Sequence, residues 1–330
     1  MEIYSGYLKD NKALSQSASG GCATAISLYV LNHNGCVYGV EYSEDFEAAQ
    51  YCCVEDVANL YRLKSTKYVE SNKFINDISV YEHVANRLKN GRMVCFFGLG
   101  CDVAAVKTYC EKKQIRTDKL YTVDILCHGP LSKKLHCEYV KAVQKKYKSK
   151  IIELNVRYKK GGNWTPPYIK IVFENGKKIE KQLYDTDYGF LFSKVALSRC
   201  TDCKFKGENH RGEICIGDFW GIDKTLPIYN QYGVSIILIQ NEKGKDIIEW
   251  LSKSDFELTK INDITVLQSN PMYFDSRIAG ANKAEIEKSI EKFGFKQGLK
   301  SNELYRIWLR STKIKHLKNL IKKALNRDKV

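Results

Sequence analysis

The apolar positions of the chain form short continuous runs and helically spaced stripes, and their alternation predicts an α/β fold. Residues 93–97 (MVCFF) and 120–126 (LYTVDIL) are apolar runs of strand length. Each is followed by a glycine-containing turn and then by an amphipathic segment, one starting near Asp102 and the other covering residues 132–147. Strand, turn and helix repeated in this order are typical of parallel strands joined by helical crossovers. The first half of the chain is therefore predicted to form a mostly parallel sheet.

Further elements are predicted on both sides of these two units. Helical spacing is found over residues 17–33, 73–89 and 241–252. Short β-like runs occur in both halves, over residues 36–42, 48–54, 151–158, 168–174, 214–216 and 234–240. Asn175-Gly176 predicts a hairpin turn, because both positions tolerate positive φ. We expect an α/β (mixed α+β) fold, with mixed strands and a cysteine-containing loop in the second half and a basic amphipathic helix at the C-terminus.

Length and composition limit the class of protein. The chain has 330 residues, of which 44% are hydrophobic and 28% charged, as in a globular protein large enough for two lobes. Its start lacks the apolar core of a signal peptide. No apolar run reaches the length of about 18 residues that suggests a membrane span. We therefore expect a cytoplasmic protein.

The formal net charge of +15 is concentrated near the C-terminus. Residues 301–330 contain nine Lys/Arg and two acids, so this segment holds almost half of the excess. A basic amphipathic helix is suited to an anionic membrane surface at the inner membrane face or to a partner protein. It is equally suited to covering the core of its own chain. Because the charge concentrates in one tail, the pattern argues against nucleic acid as the partner.

Twelve cysteines in a reducing compartment favour metal or redox chemistry over disulfides. Those in short apolar runs are predicted to be structural, because free cysteine behaves there as a small buried hydrophobe: Cys36, Cys52, Cys53 and Cys95. Cys101 and Cys127 instead follow the two apolar strands, at the sheet edge where ligands bind.

Cys200 and Cys203 form a C-x-x-C pair framed by Arg199, Lys204 and Lys206. This spacing places two sulfurs on one side of a tight turn, as a tetrahedral metal or a cluster requires. Together with the two strand-end cysteines, the pair gives four thiolates. Spacing alone leaves a [4Fe–4S] cluster, zinc and an unmetallated site open.

The chain resembles the coenzyme F420 hydrogenase/dehydrogenase beta-subunit family from Tyr4 to about Trp250. The motifs that carry the resemblance are specific in combination and in this order: Ser19-Gly20-Gly21, Lys67-Tyr68-Val69 with Ser71, GLGC at 98–101, DILCHG at 124–129, RCTDCKFK at 199–206 and GDFWGI at 217–222.

This family is known for flavoproteins that bind FAD and iron–sulfur clusters. The resemblance implies that Cys101, Cys127, Cys200 and Cys203 hold one [4Fe–4S] cluster, and that the chain is an FAD/[4Fe–4S] oxidoreductase. Archaeal members exchange hydride with F420, so F420 is expected here only if the host makes it. Relatives in plants and cyanobacteria use ferredoxin, and many bacterial relatives belong to surface-polysaccharide pathways.

Three departures from the family pattern matter. We expect the chain to be a bacterial member that lacks the N-terminal ferredoxin-like domain, so a separate ferredoxin-like donor or a partner subunit would supply electrons. Gly100 and Asp102 replace the usual Pro and Gln beside the first cysteine, and an acid there is expected to lower the cluster potential. The loop after Cys127-His128-Gly129 is a residue shorter than is typical.

The resemblance also points to flavin-binding residues. FAD carries a pyrophosphate, which backbone N–H groups at a helix start can bind. Ser19, Gly20 and Gly21 are the candidates, although such a helix start is most often only a cap. Lys64, Lys67 and Tyr68 are candidates for a second contact.

The histidines carry weaker expectations. His128, beside Cys127, is the candidate for a hydrogen bond that tunes the cluster, or for a proton donor. No catalytic acid is assigned. His136 and His210 are predicted to lie on the surface.

These expectations divide the chain into residues 1–90 (flavin-binding), 91–255 (iron–sulfur, flavin and substrate) and 256–330 (a C-terminal extension). The expected function couples one-electron transfer through the cluster to hydride chemistry at FAD, on a small-molecule or sugar-linked substrate, with surface-polysaccharide biosynthesis as one setting. Two alternatives stay open: a non-catalytic electron-transfer subunit, and a zinc-containing basic nucleic-acid-binding protein.

Overall fold

A computed structural model describes residues 2–278 and 280–327, with side chains as far as residue 318. The strands, β1 to β14 in chain order, are Glu2–Leu8, Cys36–Tyr42, Ala49–Val54, Ser71–Asn72, Phe74–Ile75, Ile78–Ser79, Val94–Leu99, Leu120–Ile125, Ile151–Tyr158, Tyr168–Phe173, Lys178–Gln182, Ile214–Asp218, Ser235–Ile239 and Phe256–Ile261. The helices, α1 to α12, are Asn11–Gln16, Cys22–Asn32, Val80–Lys89, Gly100–Lys112, Lys133–Tyr147, Asp187–Lys194, Ser198–Thr201, Gly244–Ser252, Pro271–Phe274, Lys283–Phe293, Phe295–Ser301 and Glu303–Arg327.

The main sheet has nine strands in the order β14-β1-β13-β12-β8-β7-β2-β3-β4. Its central strands β12, β8, β7 and β2 are parallel to one another. Strands β13, β1 and β14 extend it in antiparallel fashion on one side, and β3 is antiparallel to β2 on the other. The predicted mixed α/β architecture with a parallel centre is therefore confirmed. All three sequence segments contribute strands to this sheet, and their functional division stays a prediction.

Strand β7 shows why helices cover both faces of the sheet. Its residues are apolar on both sides, as in a strand buried between two layers. Cys95 and Phe97 point into a core formed with α2 and α8. Val94 and Phe96 point into a second core formed with α3 and α4. The predicted apolar run therefore becomes a central strand whose carboxyl end opens at the sheet edge.

A smaller antiparallel sheet, in the order β11-β10-β9, forms the second lobe. The predicted turn at Asn175-Gly176 joins β10 to β11, and Gly176 has φ +78°. This sheet packs on α5, α6, α10 and α11, and Tyr305 at the start of α12 lies fully buried in the same core. The C-terminal helix therefore begins as part of the body of the protein.

Two predicted helix starts are wrong. The helix predicted over 73–89 begins at Val80, because residues 74–79 form a β5–β6 hairpin whose turn residues Asn76 and Asp77 both have positive φ, as a two-residue hairpin turn requires. The helix predicted over 17–33 begins at Cys22. Gly21 caps it in a left-handed conformation, with φ +80°.

The two histidines predicted on the surface are buried. His136 is fully buried, and its Nε2 bonds to the carbonyl of Phe46 at 2.8 Å. Desolvation lowers its pKa to about 4. His210 is 6% exposed and pairs with Asp124. Both side chains are tolerated inside because each has a hydrogen-bond partner.

Candidate metal centre

Cys101 and Cys127 lie where two neighbouring parallel strands end. Cys101 is in the first turn of α4, directly after β7, and Cys127 follows β8 by two residues. The two strands are in register, with Leu99 opposite Ile125. The sheet edge therefore presents both thiols to the same crevice, as the sequence predicted.

The C-x-x-C pair lines the same crevice. Cys200 lies in the short helix α7, and Cys203 follows it in the loop. Both line one cavity of about 910 Å³ together with Cys101 and Cys127. The structure thus brings together the four cysteines that the sequence singled out.

Gly100 makes this close approach possible. A Cβ at this position would lie 2.8 Å from the Cβ of Phe205 and 3.1 Å from Oδ2 of Asp124. Phe205 belongs to the loop that carries Cys203, so a side chain at position 100 would push that loop away from β7. The glycine that replaces the family's proline therefore has a packing role here.

Hydrogen bonds of backbone N–H groups fix the loops of Cys127 and Cys203. The N–H of Gly129 donates to Sγ of Cys127 at 3.1 Å, and Gly129 has φ +87°. The N–H of Cys203 donates to Oγ of Ser276 at 2.9 Å. A donor aimed at a sulfur favours its thiolate form, which is the form that binds metals.

In the metal-free protein the cavity favours protonated thiols. Desolvation raises the pKa of Cys101 to about 11, and the neighbouring Asp102 adds to the effect. Desolvation also raises the pKa of Cys127 to about 12, against the opposing effect of the Gly129 N–H, and it raises the pKa of Cys200. A bound metal ion would favour the thiolate forms of these sulfurs at neutral pH.

Among the cations that line the cavity, the buried Arg277 and the half-buried Lys206 have no carboxylate partner among the described residues. Lys206 donates from Nζ to the carbonyl of Cys127 at 2.6 Å and to the carbonyl of Met272. Arg277 is 3% exposed and donates to the carbonyl of Gly129 at 2.8 Å. Buried cations paired only with neutral groups call for an anion nearby. This charge surplus fits a thiolate-bound cluster, which is anionic.

Sequence reasoning found Lys206 and missed Arg277. Lys206 lies three residues after Cys203 and belongs to the basic frame of the C-x-x-C pair. Arg277 lies in a stretch with no periodic pattern, in the segment predicted to be an extension. Its role depends on a tertiary contact that spacing along the chain does not reveal.

Apart from the exposed Lys133, the other charged groups that line the cavity form ion pairs. Asp102 is buried. Its carboxylate accepts hydrogen bonds from Nζ of Lys73 at 2.7 Å and from the hydroxyl of Tyr51 at 3.0 Å. The acid beside Cys101 is therefore largely neutralised by its own partner, which weakens the expected effect on a cluster potential. Arg199 pairs in the same way with Glu70.

Histidines lie on two sides of the cavity. His128 lines it next to Cys127, and desolvation lowers its pKa, with a further contribution from Arg277. His210 also lines it, with Nδ1 bonded to Oδ2 of Asp124 at 2.8 Å. Asp124, His210 and the buried Cys215 form a group with metal-ligand chemistry. Their hydrogen bonds to one another already account for their closeness.

The two predicted flavin segments lie side by side, joined by β9. Lys159, which directly follows this strand, donates from Nζ to the carbonyl of Ser19 at 2.8 Å. Asn155 on the strand accepts from Oγ of Ser65 at 2.8 Å. The start of α2 and the loop before β4 thus form one continuous region.

The glycines of the first flavin segment satisfy packing. A Cβ at Gly20 would lie 2.3 Å from the carbonyl oxygen of Gly6 and 2.4 Å from the backbone N of Ser235. A Cβ at Gly21 would lie 2.4 Å from Cδ1 of Leu8. No side chain in the described residues caps α2, so the N–H groups of its first turn have no side-chain partner. Their phosphate-binding role stays a prediction.

The region that contains the two predicted flavin segments has a surplus of positive charge. Lys64, Lys67, Arg157 and Lys159 lie in it, and among the described residues only Arg157 pairs with a carboxylate, that of Asp218 at 2.8 Å. The ammonium groups of the lysines bond to neutral acceptors, for example Lys67 to the carbonyl of Lys64 at 2.6 Å. Such a surplus fits an anionic cofactor such as a pyrophosphate.

Burial sets the charge state of two of these lysines. Desolvation lowers the pKa of Lys67 to about 8 and that of Lys159 to about 7. Arg157 lowers the pKa of Lys159 further, and Asp218 opposes this. Both lysines would regain positive charge beside a bound anion.

These features define a class: an α/β protein whose cysteines gather in a cavity at the carboxyl edge of parallel strands, an arrangement suited to a metal or redox cofactor. A family model that describes the C-terminal part of the beta subunit of coenzyme F420 hydrogenase/dehydrogenase matches residues 91–264, more than half of the chain. The chain belongs to the coenzyme F420 hydrogenase/dehydrogenase beta-subunit family, which confirms the resemblance seen in the sequence.

The fold is similar to that of a chain in the xenon-derivatised F420-reducing [NiFe] hydrogenase complex from Methanosarcina barkeri. The TM-score is 0.54 at 15% identity, over 91% of this chain and 90% of that chain. At this identity the likeness shows the fold alone. No curated protein gave a significant match. Family membership supports an oxidoreductase-type role in general.

Proposed function

We propose that the protein is an iron–sulfur flavoprotein oxidoreductase, with one [4Fe–4S] cluster bound by Cys101, Cys127, Cys200 and Cys203 and with FAD in the adjoining region. The observation that carries the proposal is the single cavity lined by all four cysteines. The cluster supplies one-electron transfer and the flavin supplies two-electron chemistry when they are bound. The family to which the chain belongs gives this cofactor pair its context.

The residues that line the cavity have different roles in such a site. The four thiolates bind the metal, and Gly129 stabilises the thiolate of Cys127 through its N–H. His128 lies beside Cys127 and is suited to a hydrogen bond to a cluster sulfur, or to holding a proton for a substrate. We favour the hydrogen bond, because desolvation and Arg277 both lower the pKa of His128 and keep the ring neutral.

FAD would bind beside β9, where the chain has a surplus of positive charge. Ser19, Gly20 and Gly21 precede a helix whose start has no side-chain cap, and Lys64, Lys67 and Tyr68 lie on the adjoining loop. Lys159 joins the two, since its Nζ bonds to the carbonyl of Ser19. We infer that these residues hold the pyrophosphate side of FAD, with Lys159 as a contact that the sequence did not suggest.

Anaerobic purification of the full chain, with a visible spectrum and assays of iron, zinc and flavin, tests the proposal. A flavin spectrum with a broad iron–sulfur shoulder and about four irons per chain would support it. About one zinc per chain with neither iron nor flavin would refute it and favour a structural metal. Salt-sensitive binding to DNA by such a zinc form would revive the nucleic-acid alternative.

The electron donor and the substrate belong to the same proposal. We infer a ferredoxin-like donor or a partner subunit, and a small-molecule or sugar-linked substrate, as in a surface-polysaccharide pathway. F420 is a further candidate in a host that makes it. The likeness in fold to a chain of a multi-subunit hydrogenase complex favours a second function, that of an electron-transfer subunit. Turnover by the isolated chain with an artificial donor distinguishes the two.

The C-terminal helix α12 is proposed to touch an anionic membrane surface. Tyr305 is buried in the body, whereas Ile307, Ile314 and Leu317 are 53%, 55% and 58% exposed. At about 100° per residue these three lie on the face opposite Tyr305. Four exposed cations flank this face, Arg306 and Lys313 on one side and Lys315 and Lys318 on the other, and the exposed Arg310 lies within it. An apolar stripe between cations is the pattern of a helix that lies on anionic lipid.

Within residues 2–278 and 280–327, the helices are all too short or too polar to span a bilayer.

A further inference from the structure

The segment that contains α9 packs against the C-x-x-C loop from outside the family-matched region, which ends at residue 264. The N–H of Arg277 donates to the carbonyl of Cys200 at 3.1 Å. Oγ of Ser276 accepts from the N–H of Cys203 at 2.9 Å. Both cysteines of the pair are therefore fixed by consecutive residues of this segment.

The side chain of Arg277 continues from there to the loop after Cys127. Its guanidinium donates to the carbonyl of Gly129 at 2.8 Å and to that of His128 at 3.4 Å. It also donates to the carbonyl of Phe192 at the end of α6. A Cβ at Gly129 would lie 3.1 Å from Cδ of Arg277 and 3.2 Å from Cβ of Cys200. One arginine thus holds the two cysteine loops at contact distance.

The charge of Arg277 has no anion of its own. The residue is 3% exposed, and within the described part of the chain no carboxylate lies within ion-pair distance of it. Its Nε is buried without a hydrogen-bond partner there. A buried cation bonded only to carbonyls is costly unless an anion lies nearby. A cluster bound by four thiolates would be that anion, and each added electron would make it more negative.

We propose that Arg277 is a positioning residue of the cluster site that also sets the ease of cluster reduction. Its fork of donors keeps the Cys127 and Cys200 loops together, and its positive charge stabilises the reduced cluster more than the oxidised one. This inference rests on the proposed [4Fe–4S] cluster. The electron comes from a one-electron donor such as dithionite, and Arg277 takes up no proton and no electron.

Two variants separate the hydrogen-bonding role of the Arg277 guanidinium from the role of its charge. Arg277→Lys keeps the charge but replaces the rigid, planar guanidinium by a single nitrogen, which does not reproduce the spread of its three hydrogen bonds. Arg277→Met keeps an unbranched stem of similar shape and removes both the charge and the donors. The control is Arg92→Met, which removes a half-exposed arginine whose partner is Glu55, outside the cysteine cavity. All are made in the full chain under anaerobic conditions.

The measurements are iron content, thermal unfolding, cluster loss to a chelator, and a redox titration followed by electron paramagnetic resonance. For Arg277→Met we expect the ratio of reduced to oxidised cluster at a fixed potential to fall about tenfold, a shift of about 59 mV for one electron. For Arg277→Lys we expect a potential close to that of the wild type and several-fold faster cluster loss. Arg92→Met should change neither.

Each result decides the inference. If Arg277→Met binds a cluster whose reduction potential is unchanged, the charge of Arg277 does not set the potential. If Arg277→Lys loses its cluster to a chelator no faster than the wild type, the guanidinium hydrogen bonds do not hold the site together. If Arg277→Met does not fold, the lysine variant decides, since faster loss at an unchanged potential supports the proposal. A wild-type protein without iron refutes the proposed function itself, and the inference falls with it.

Discussion

Tyr68 stacks on Phe192, with ring centroids 4.1 Å apart and ring planes at 16°. The guanidinium carbon of Arg277 lies 5.5 Å from the centre of the same Phe192 ring. The N–H of Leu131, in the chain that follows Cys127, donates to the carbonyl of Tyr68 at 3.0 Å. The predicted flavin segment and the cysteine cavity are therefore joined by direct contacts, which fix the spacing between the two proposed cofactors.

Replacing Phe192 by Leu should slow electron exchange between these two sites without removing either cofactor. The variant loses the ring stack, and a misplacement of about 1 Å in a reacting geometry can cost up to about a hundredfold in rate. We expect about a tenfold slower reduction of bound flavin by a one-electron donor, measured by stopped-flow absorbance. The expected cost in folding free energy is about 1 kcal/mol.

Phe190→Leu is the matched control for this prediction. Phe190 lies on the same helix and is fully buried, but its ring contacts Tyr305 in the core of the second lobe. It should lose a similar amount of stability and reduce its flavin at the wild-type rate. Equal rates in the two variants would contradict a role for the Tyr68–Phe192 stack.

Single Cys→Ser replacements should separate the four proposed ligands from the other cysteines. Serine is a poor ligand for iron at neutral pH, because its hydroxyl does not ionise. Cys101→Ser, Cys127→Ser, Cys200→Ser and Cys203→Ser should each lower iron from about four atoms per chain to below about one. The measurement is iron and acid-labile sulfide in anaerobically purified protein.

Cys137→Ser provides the control for the cysteine series. Cys137 is half-buried on α5, bonds to Glu47 at 3.4 Å, and lies outside the cavity. It should keep full iron. Retention of iron by any two of the four cavity variants would refute the ligand set. Zinc bound by the wild type and lost in the same four variants would favour the zinc alternative.

The paired cavity cysteines could be predicted because local patterns determine their positions. The apolar runs before Cys101 and Cys127 can only be satisfied by central strands, and parallel neighbours end at the same edge. The tight spacing of Cys200 and Cys203 needs no tertiary information. The meeting of Cys101 and Cys127 at one sheet edge follows once β7 and β8 are neighbours, whereas the arrival of the C-x-x-C loop at the same cavity depends on tertiary contacts.

Other features depend on contacts that the sequence does not encode locally. Arg277 is recognisable only after α9 has packed on the C-x-x-C loop. His210 is buried because Asp124, far away in sequence, accepts its hydrogen bond. The β5–β6 hairpin was predictable in principle, since Asn76-Asp77 is a favourable turn pair, but the helical spacing that follows it obscured the strands.

Binding of FAD should weaken as the pH rises above neutral. In the cofactor-free protein Lys159 loses its proton near pH 7 and Lys67 near pH 8. The neighbouring charges act in both directions: Arg157 lowers the pKa of Lys159 and Asp218 raises it, while Glu41 raises the pKa of Lys67. A bound pyrophosphate favours the charged lysines, so binding takes up protons above these pKa values.

We therefore expect the affinity for FAD to be nearly constant below about pH 7 and to fall, between about pH 8 and pH 9, by up to about tenfold per pH unit for each of the two lysines. Fluorescence titration with FAD measures it. Lys159→Met should bind more weakly at pH 6 and show a shallower decline. A pH-independent affinity in the wild type would exclude both lysines from the phosphate site.

The same pKa values predict the pH dependence of stability. The ordinary lysine pKa lies near 10.5, so between about pH 7 and that value the unfolded chain binds more protons at Lys159 than the folded chain does. Folding stability of the cofactor-free protein should then rise with pH on account of this group. Below about pH 7 the burial of the charged Lys159 lowers the folding stability by its full amount. Lys159→Met should be more stable than the wild type at pH 6, and denaturant unfolding at pH 6 and pH 9 tests the sign.

Contact with an anionic membrane can be tested on the outward face of α12. Ile314 and Leu317 are more than half exposed, and transfer of each to lipid is worth about 1.5 kcal/mol, or about tenfold in affinity. Ile314→Glu with Leu317→Glu should abolish cosedimentation with vesicles that contain phosphatidylserine. Ile264→Glu is the control, because Ile264 is equally exposed at 58% but lies in the turn after β14.

Since the flanking cations contribute through charge, wild-type binding should fall with salt. Equal binding to neutral vesicles, or binding unchanged by the double replacement, would mean that this face does not recognise anionic lipid.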